Sequence, residues 1–366
     1  MAKRKVKREI KLNEIFSPPT KADKIIGCFL GVLLGDALGM PWEMMSHQEI
    51  MLATRRSGVS GFSRPRQFKI KDTMYLEPGQ TTDDWQLTRA VARSLIQSQE
   101  FDLMDCLREH LVELDLNHCG FGKSTLENLQ ALRKLLAKNG GKFVGVLPSV
   151  DKLKGQGTGN GVAMKISPLA IYFSNRPEDL FEAVRKLGSV THKDPQAYLS
   201  AYILGLAIGS VFEQSIGFCS KDELRNQIAG LASSLIAEIT VRDRVAFGGK
   251  CSQLQFGLIR LGELINSGKI ADPAIVAQKL GTGCHCAHSV PFALAMFLRH
   301  PTDFRAVVIE TINQGGDTDT NASMVGSLVG ANVGALAIPE EWRTFRPEYA
   351  EAGELGMALY NLMARQ

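Results

Sequence analysis

Glycine recurs at every fourth position twice in this chain, at Gly27, Gly31, Gly35 and Gly39 and again at Gly326, Gly330 and Gly334. A four-residue period keeps those positions on one face of a helix. A face without side chains lets a second helix approach backbone to backbone. The run Lys24–Met40 is apolar enough to suggest a membrane helix, but it is short, contains Asp36 and ends at Pro41. A buried core helix fits better. The second stripe lies in the small, apolar stretch Ala322–Ile338 and is the natural partner for the first. Packing the two together would bring Asp36 and Glu43, at the end of one helix, beside the residues that open the other.

Those residues are Asn313-Gln314-Gly315-Gly316-Asp317-Thr318-Asp319-Thr320-Asn321. Two carboxylates one residue apart, after two glycines that permit a tight turn, can converge their oxygens on one point. A simple helix cap by Asp319 or Thr320 is the competing reading. A second acidic helix start, Thr81-Thr82-Asp83-Asp84, follows Pro78-Gly79 and leads an amphipathic segment to Ile96. Four carboxylates in one place repel unless they are neutralised, and divalent cations do so directly. Oxygen-only ligands select magnesium or manganese over zinc.

The remaining pattern is helical, with no convincing alternating strand, which predicts an all-α protein. With 45% hydrophobic and 22% charged residues, 366 residues can bury a large core. Seven scattered cysteines argue against a disulfide framework and for a reducing, cytoplasmic setting. Much of the net charge of +4 comes from Lys3, Arg4, Lys5, Lys7, Arg8 and Lys11. These belong to an arm, residues 1–20, ahead of a body at 21–366; no long apolar run follows them, so a secretory signal is not expected. The arm reads either as a solvated tail or, with Ile10, Leu12, Ile15, Phe16 and the Pro18-Pro19 boundary, as an element that grips an acidic partner. Neither nucleic acid nor a membrane is expected as a partner.

Several other motifs are less informative. Residues 46–75, with Arg55, Arg56, Arg64, Arg66, Lys69 and Lys71, read as loop or short strands. Gly120-Phe121-Gly122-Lys123-Ser124 fails as a phosphate loop because Asn117 replaces the first glycine. Gly155-Gln156-Gly157-Thr158-Gly159-Asn160-Gly161 lacks the preceding strand of a dinucleotide site. Cys284-His285-Cys286-Ala287-His288 lacks the second half of a structural zinc pattern.

Thr82-Asp83-Asp84 together with Gly315-Gly316-Asp317-Thr318-Asp319-Thr320 resembles the two metal-binding signatures of the ADP-ribosylglycohydrolase family. Gly35-Asp36-Ala37-Leu38-Gly39 with Glu43, the Gly159–Lys165 segment and Thr191-His192-Lys193-Asp194-Pro195 extend the likeness in the family's order. The resemblance implies an all-α, single-domain helical bundle with a binuclear metal cleft holding two Mg2+, for which Mn2+ can substitute. It assigns Thr82, Asp83, Asp84, Asp317, Asp319 and Thr320 as metal ligands and Asp83, Asp84, Asp317 and Glu43 as catalytic. Gly120, Phe121, Gly122, Gly157, Thr158, Gly159, Asn160 and His192 would contact ADP-ribose, with Lys123 a further candidate, and Asn160 is expected to touch the ligand rather than the ion.

The implied reaction is hydrolysis of the bond joining ADP-ribose to a protein side chain. Arginine is favoured by similarity to the nitrogenase-reductase-type members. An immunity role, countering an ADP-ribosyltransferase toxin held by the arm, is compatible with the basic N-terminus. The alternative is a catalytically silent ADP-ribose- or metal-binding module, or a partner-blocking protein. Two positions depart from the family: Trp85 replaces the common threonine, which would put a large ring in the pocket, and an acidic residue usual near His288 is missing.

Overall fold

Two helices meet here with backbone against backbone. In this computed structural model, residues 18–65, 76–116, 119–138, 157–214 and 240–365 are described, with 226, 230, 233, 234 and 236–238 between them. In chain order the α-helices with bounds among the described residues are α1 (Lys21–Gly39), α2 (His47–Ala53), α3 (Asp83–Ser98), α4 (Leu103–Leu116), α5 (Lys123–Lys138), α6 (Ser167–Tyr172), α7 (Pro177–Thr191) and α8 (Pro195–Glu213). They continue as α9 (Ser252–Asn266), α10 (Pro273–Leu280), α11 (Cys286–Arg299), α12 (Phe304–Asn313), α13 (Thr318–Val333), α14 (Glu340–Arg343) and α15 (Ala350–Met363). Among the described residues the only extended pairing is two isolated bridges, Ser46 with Gly315 and Gly159 with His285. The protein is all-α, as its sequence predicts.

The two glycine stripes pack against each other, with α1 and α13 antiparallel. A Cβ added at Gly31 would lie 2.0 Å from the Gly326 carbonyl oxygen, and one at Gly330 would lie 2.0 Å from that of Gly27. At the far end a Cβ on Gly39 would meet the Thr318 carbonyl at 2.4 Å. Interiors are already close-packed, so no side chain fits along this seam. The register brings the C-terminus of α1 to the N-terminus of α13, which is where the acidic residues lie.

Both α1 and α8 are long and apolar enough to cross a membrane, and both are almost wholly covered by the rest of the protein. They are therefore core helices here. Lys24 fixes their relation: its buried ammonium donates to the carbonyls of Val211 (3.0 Å), Phe212 (2.9 Å) and Gln214 (2.6 Å) at the end of α8, where a cation complements the helix dipole.

Helix α3 is held from two sides. Trp85 is buried and meets Phe29 of α1 edge-on, with centroids 6.5 Å apart. The ring therefore points into the core, and the expectation that it narrows the pocket or stacks on substrate is corrected. Its size is used in filling the space between α1 and α3. Behind α3, Arg89 and Arg93 bridge the buried Glu113 of α4 and Glu351 of α15.

Two further readings need correction. Residues 46–75 do not begin as loop or strand, because α2 forms there under a reciprocal capping box between Ser46 and Glu49. The small, apolar stretch Ala322–Ile338 is not one helix, because α13 stops at Val333, where Gly334 turns to φ 80°. Arg66, Lys69, Lys71, Asn117, Gly155, Gln156 and residues 1–17 of the arm lie outside the described residues.

Candidate metal centre

Side-chain caps close many helix starts in this protein: Thr20, Ser46, Asp194, Asp272 and Asp303 each accept a backbone N–H of the first turn. The two acidic helix starts are different. Thr82 stands at the N-cap of α3 and Asp317 at the N-cap of α13, and neither side chain makes a capping bond. The N-cap side chains thus leave both starts open, although Asp319, named in the capping reading, accepts the first-turn N–H of Thr320 on Oδ1 at 2.9 Å, so that reading holds in part at α13.

The turn into α13 is fixed by backbone geometry. Gly315 and Gly316 adopt φ of 75° and 86°, where a side chain is strained. A Cβ at Gly316 would also lie 2.3 Å from Thr282 Oγ1. Gly316 donates to the Met45 carbonyl (2.8 Å), Met44 donates to the Gly316 carbonyl (2.7 Å), and Asp317 N–H donates to the Thr282 carbonyl (2.9 Å). This pairing draws Glu43 onto the same turn. Carboxylate oxygens of Glu43, Asp317 and Asp319 lie within 4.8 Å of one another, close enough for one cation. Glu43, assigned to catalysis from the resemblance, is therefore also a member of the compact acidic trio.

Asp83 and Asp84 join from α3. Asp84 Oδ2 accepts from Thr320 Oγ1 at 3.3 Å, while its buried Oδ1 has no hydrogen-bond partner among the described residues. The Asp83 carboxylate accepts from Gly122 N–H. Burial first, and then the neighbouring acids, raise Asp83, Asp84 and Asp319 well above the ordinary carboxylate range. Glu43 is pushed up to about 8 by burial and by Asp317 and Asp36. Such crowding is relieved by protons or by hard cations. The all-oxygen donor set, the trio at cation spacing and the orphaned Asp84 Oδ1 fit a magnesium- or manganese-type ion.

The glycine loop reaches this centre through Asn160, whose Nδ2 donates to Asp317 Oδ2 at 2.7 Å. Asn160, expected to touch the ligand rather than the ion, thus hydrogen-bonds a carboxylate of the acidic trio. The loop is strapped to the start of α11: Asn160 N–H donates to the Cys284 carbonyl (3.0 Å) and Cys286 N–H to the Thr158 carbonyl (2.9 Å). This is the structural use of the Cys284–His288 segment, and among the described residues its side chains form no metal-sized group. Thr282, unremarked in the sequence, accepts both Asp317 N–H and Asn321 Nδ2 on its carbonyl. Its one signal was the pair of flanking glycines, Gly281 and Gly283.

His192 is buried beneath the loop, and Cβ atoms added at Gly157 or Gly161 would meet its ring at 2.7 and 2.8 Å. Burial, with the Lys165 ammonium, pulls its pKa down to about 3, so the ring is neutral at physiological pH. On the other side Gly120 turns at φ 84° against Thr82 and Asp83. Phe121 faces an apolar cluster with Leu87, Leu107 and Met164, and Lys123 is exposed near Glu127. Gly120, Gly122, Gly157, Thr158, Gly159 and Asn160 thus all belong to the two loops that border the acidic centre.

The ADP-ribosylglycohydrolase family profile matches residues 17–366. ADP-ribosylhydrolase ARH3 of Mus musculus is 26% identical over 353 residues, covering 92% of this chain and 90% of the relative. The ADP-ribosyl-dinitrogen reductase glycohydrolase of Rhodospirillum rubrum is 24% identical over 324 residues, covering 88% and 90%. A solved structure titled "ADP-ribosylglycohydrolase-related protein complex" superposes with a TM-score of 0.63 at 24% identity, over 94% of this chain and 99% of that one. That likeness is one of fold.

Proposed function

The chain belongs to the ADP-ribosylglycohydrolase family, and from that premise we propose that it is a two-magnesium hydrolase that removes ADP-ribose from a modified arginine side chain of a protein. The observation that carries this reading is the cation-sized group of Glu43, Asp317 and Asp319 bonded through Asn160 to a glycine loop. Bound cations would supply neutralisation of the carboxylates, orientation of vicinal ribose hydroxyls and activation of a water. Asp83, Asp84, Asp317, Asp319, Thr82 and Thr320 would hold them. The N–H groups of the Gly120–Gly122 and Gly157–Asn160 loops are suited to phosphate and ribose oxygens. Glu43, at the edge of the cluster, would hold or move a proton as the glycosidic bond opens. His192, neutral and packed under the loop, supports its shape.

The test is release of free ADP-ribose from arginine-linked and serine-linked ADP-ribosylated proteins, each with Mg2+, with Mn2+ and with excess chelator. Release from the arginine-linked substrate that depends on Mg2+ is expected. Turnover in chelator would sink the metal assignment, preference for serine would move the linkage, and no release from any substrate would favour the silent binding module.

The cluster of six basic residues in the first eleven supports a second element of the proposal. The arm, residues 1–20, would grip an acidic surface of an ADP-ribosyltransferase toxin in the cytoplasm, an association that weakens with salt. Deleting residues 1–17, which keeps the Thr20 cap of α1, should leave hydrolysis of a small substrate intact and abolish capture of the transferase. Equal capture by full-length and truncated protein would remove the immunity role.

A further inference from the structure

Asp36 has no assigned part in the chemistry, yet it touches the metal centre from behind. It is fully buried near the end of α1. Its Oδ1 accepts from Thr82 Oγ1 (2.7 Å) and Thr82 N–H (3.0 Å), and its Oδ2 accepts from Thr82 N–H (2.9 Å) and Trp85 N–H (3.0 Å). The carboxylate of one helix therefore caps the N-terminus of another, filling the place that the Thr82 side chain leaves open. A carboxylate offers about four lone-pair sites, and all of them face these donors.

The consequence falls on Thr82. A hydroxyl has one proton and two lone pairs. Once the proton is committed to Asp36, the oxygen can only accept, which is the state a cation ligand requires. We propose that Asp36 is a positioning residue of the metal centre, acting through Thr82: it takes the hydroxyl proton and so presents the Thr82 oxygen to the cation. This deepens the reading given above and rests on Thr82 being a ligand. A plain helix cap would need only the two N–H contacts; the 2.7 Å bond to the hydroxyl is the addition that points to the cation.

The measurement is Mn2+ titration by calorimetry, without substrate, on full-length wild type, Asp36→Asn, Thr82→Val and the double variant. In Asp36→Asn the amide hydrogens oppose donors and release the hydroxyl. In Thr82→Val the shape stays and the oxygen goes. Each single change is expected to weaken Mn2+ binding by about 10–100-fold. The double variant should be no weaker than the worse single, because both remove the same oriented lone pair. Multiplying losses would make Asp36 a cap alone. Since Asp36→Asn could unfold α3, Thr82→Val provides an independent check: wild-type affinity in that variant overturns the proposal. Failure of wild type to take up Mn2+ would instead remove the metal centre itself.

Discussion

Asn160 donates its side-chain amide to the Asp317 carboxylate across 2.7 Å, joining the glycine loop to the turn that opens α13. Glycine loop and acidic turn are thus a single hydrogen-bonded unit. Replacing Asn160 by Ala is expected to weaken Mn2+ binding by about 10–100-fold as well as loosening ADP-ribose. Calorimetry with each ligand separately checks this. Loss of ADP-ribose affinity alone would mean that the bond to Asp317 does no orienting.

The glycine seam makes a prediction about stability. At Gly31 an added methyl group would fall 2.0 Å from the Gly326 carbonyl, and neither helix can retreat without opening the core. Gly31→Ala should cost about 3 kcal/mol or more by overpacking. Gly353 of α15 has open space where its Cβ would be, so Gly353→Ala should gain about 0.5–1 kcal/mol from helix propensity. Urea midpoints measure both, and similar values for the two variants would contradict the seam.

Trp85 separates a packing role from a pocket role. Buried against Phe29, it should lose about 3–5 kcal/mol of stability on replacement by Ala. The milder Trp85→Phe should lower thermal stability while leaving KM for the ADP-ribosylated substrate within about two-fold, a spread small on the tenfold-per-1.4-kcal/mol scale. A large rise in KM would put the ring in the cleft.

The acidic centre predicts an inverted pH dependence in chelator. Glu43 is raised to about 8, and Asp83, Asp84 and Asp319 are raised as well. The folded protein therefore binds protons more tightly than the unfolded chain, so stability is full below about pH 4, the unfolded carboxyl range, and falls as pH rises through the folded values towards 8. Without metal the melting temperature should drop from pH 5.5 to pH 8.5; saturating Mg2+ should reduce that drop by replacing the protons. A flat profile in chelator would show that the carboxylates are not crowded. Asp317→Ala should leave metal-free stability little changed or higher, because a like charge is removed from the cluster.

Sequence by itself determined the helical class, the pairing of the two glycine stripes and the identity of the acidic helix starts, because each is written as a short local period or motif. The four-residue glycine spacing, Asp83-Asp84 and Asp317-Thr318-Asp319 need no knowledge of distant residues to be read. The tertiary structure alone decided what each side chain faces. Trp85 and Asp84 are neighbours in sequence, yet one ring turns to Phe29 and the other carboxylate to Thr320. Asp36, Thr82, Asn160 and Thr282 come from four separate segments, and their partners are 46 residues apart for Asp36 and Thr82 and 157 apart for Asn160 and Asp317. No local pattern encodes such pairs. They arise where the start of α3, the glycine loop and the Thr282 segment pack onto the joined ends of α1 and α13, which decides which donors reach which carboxylates.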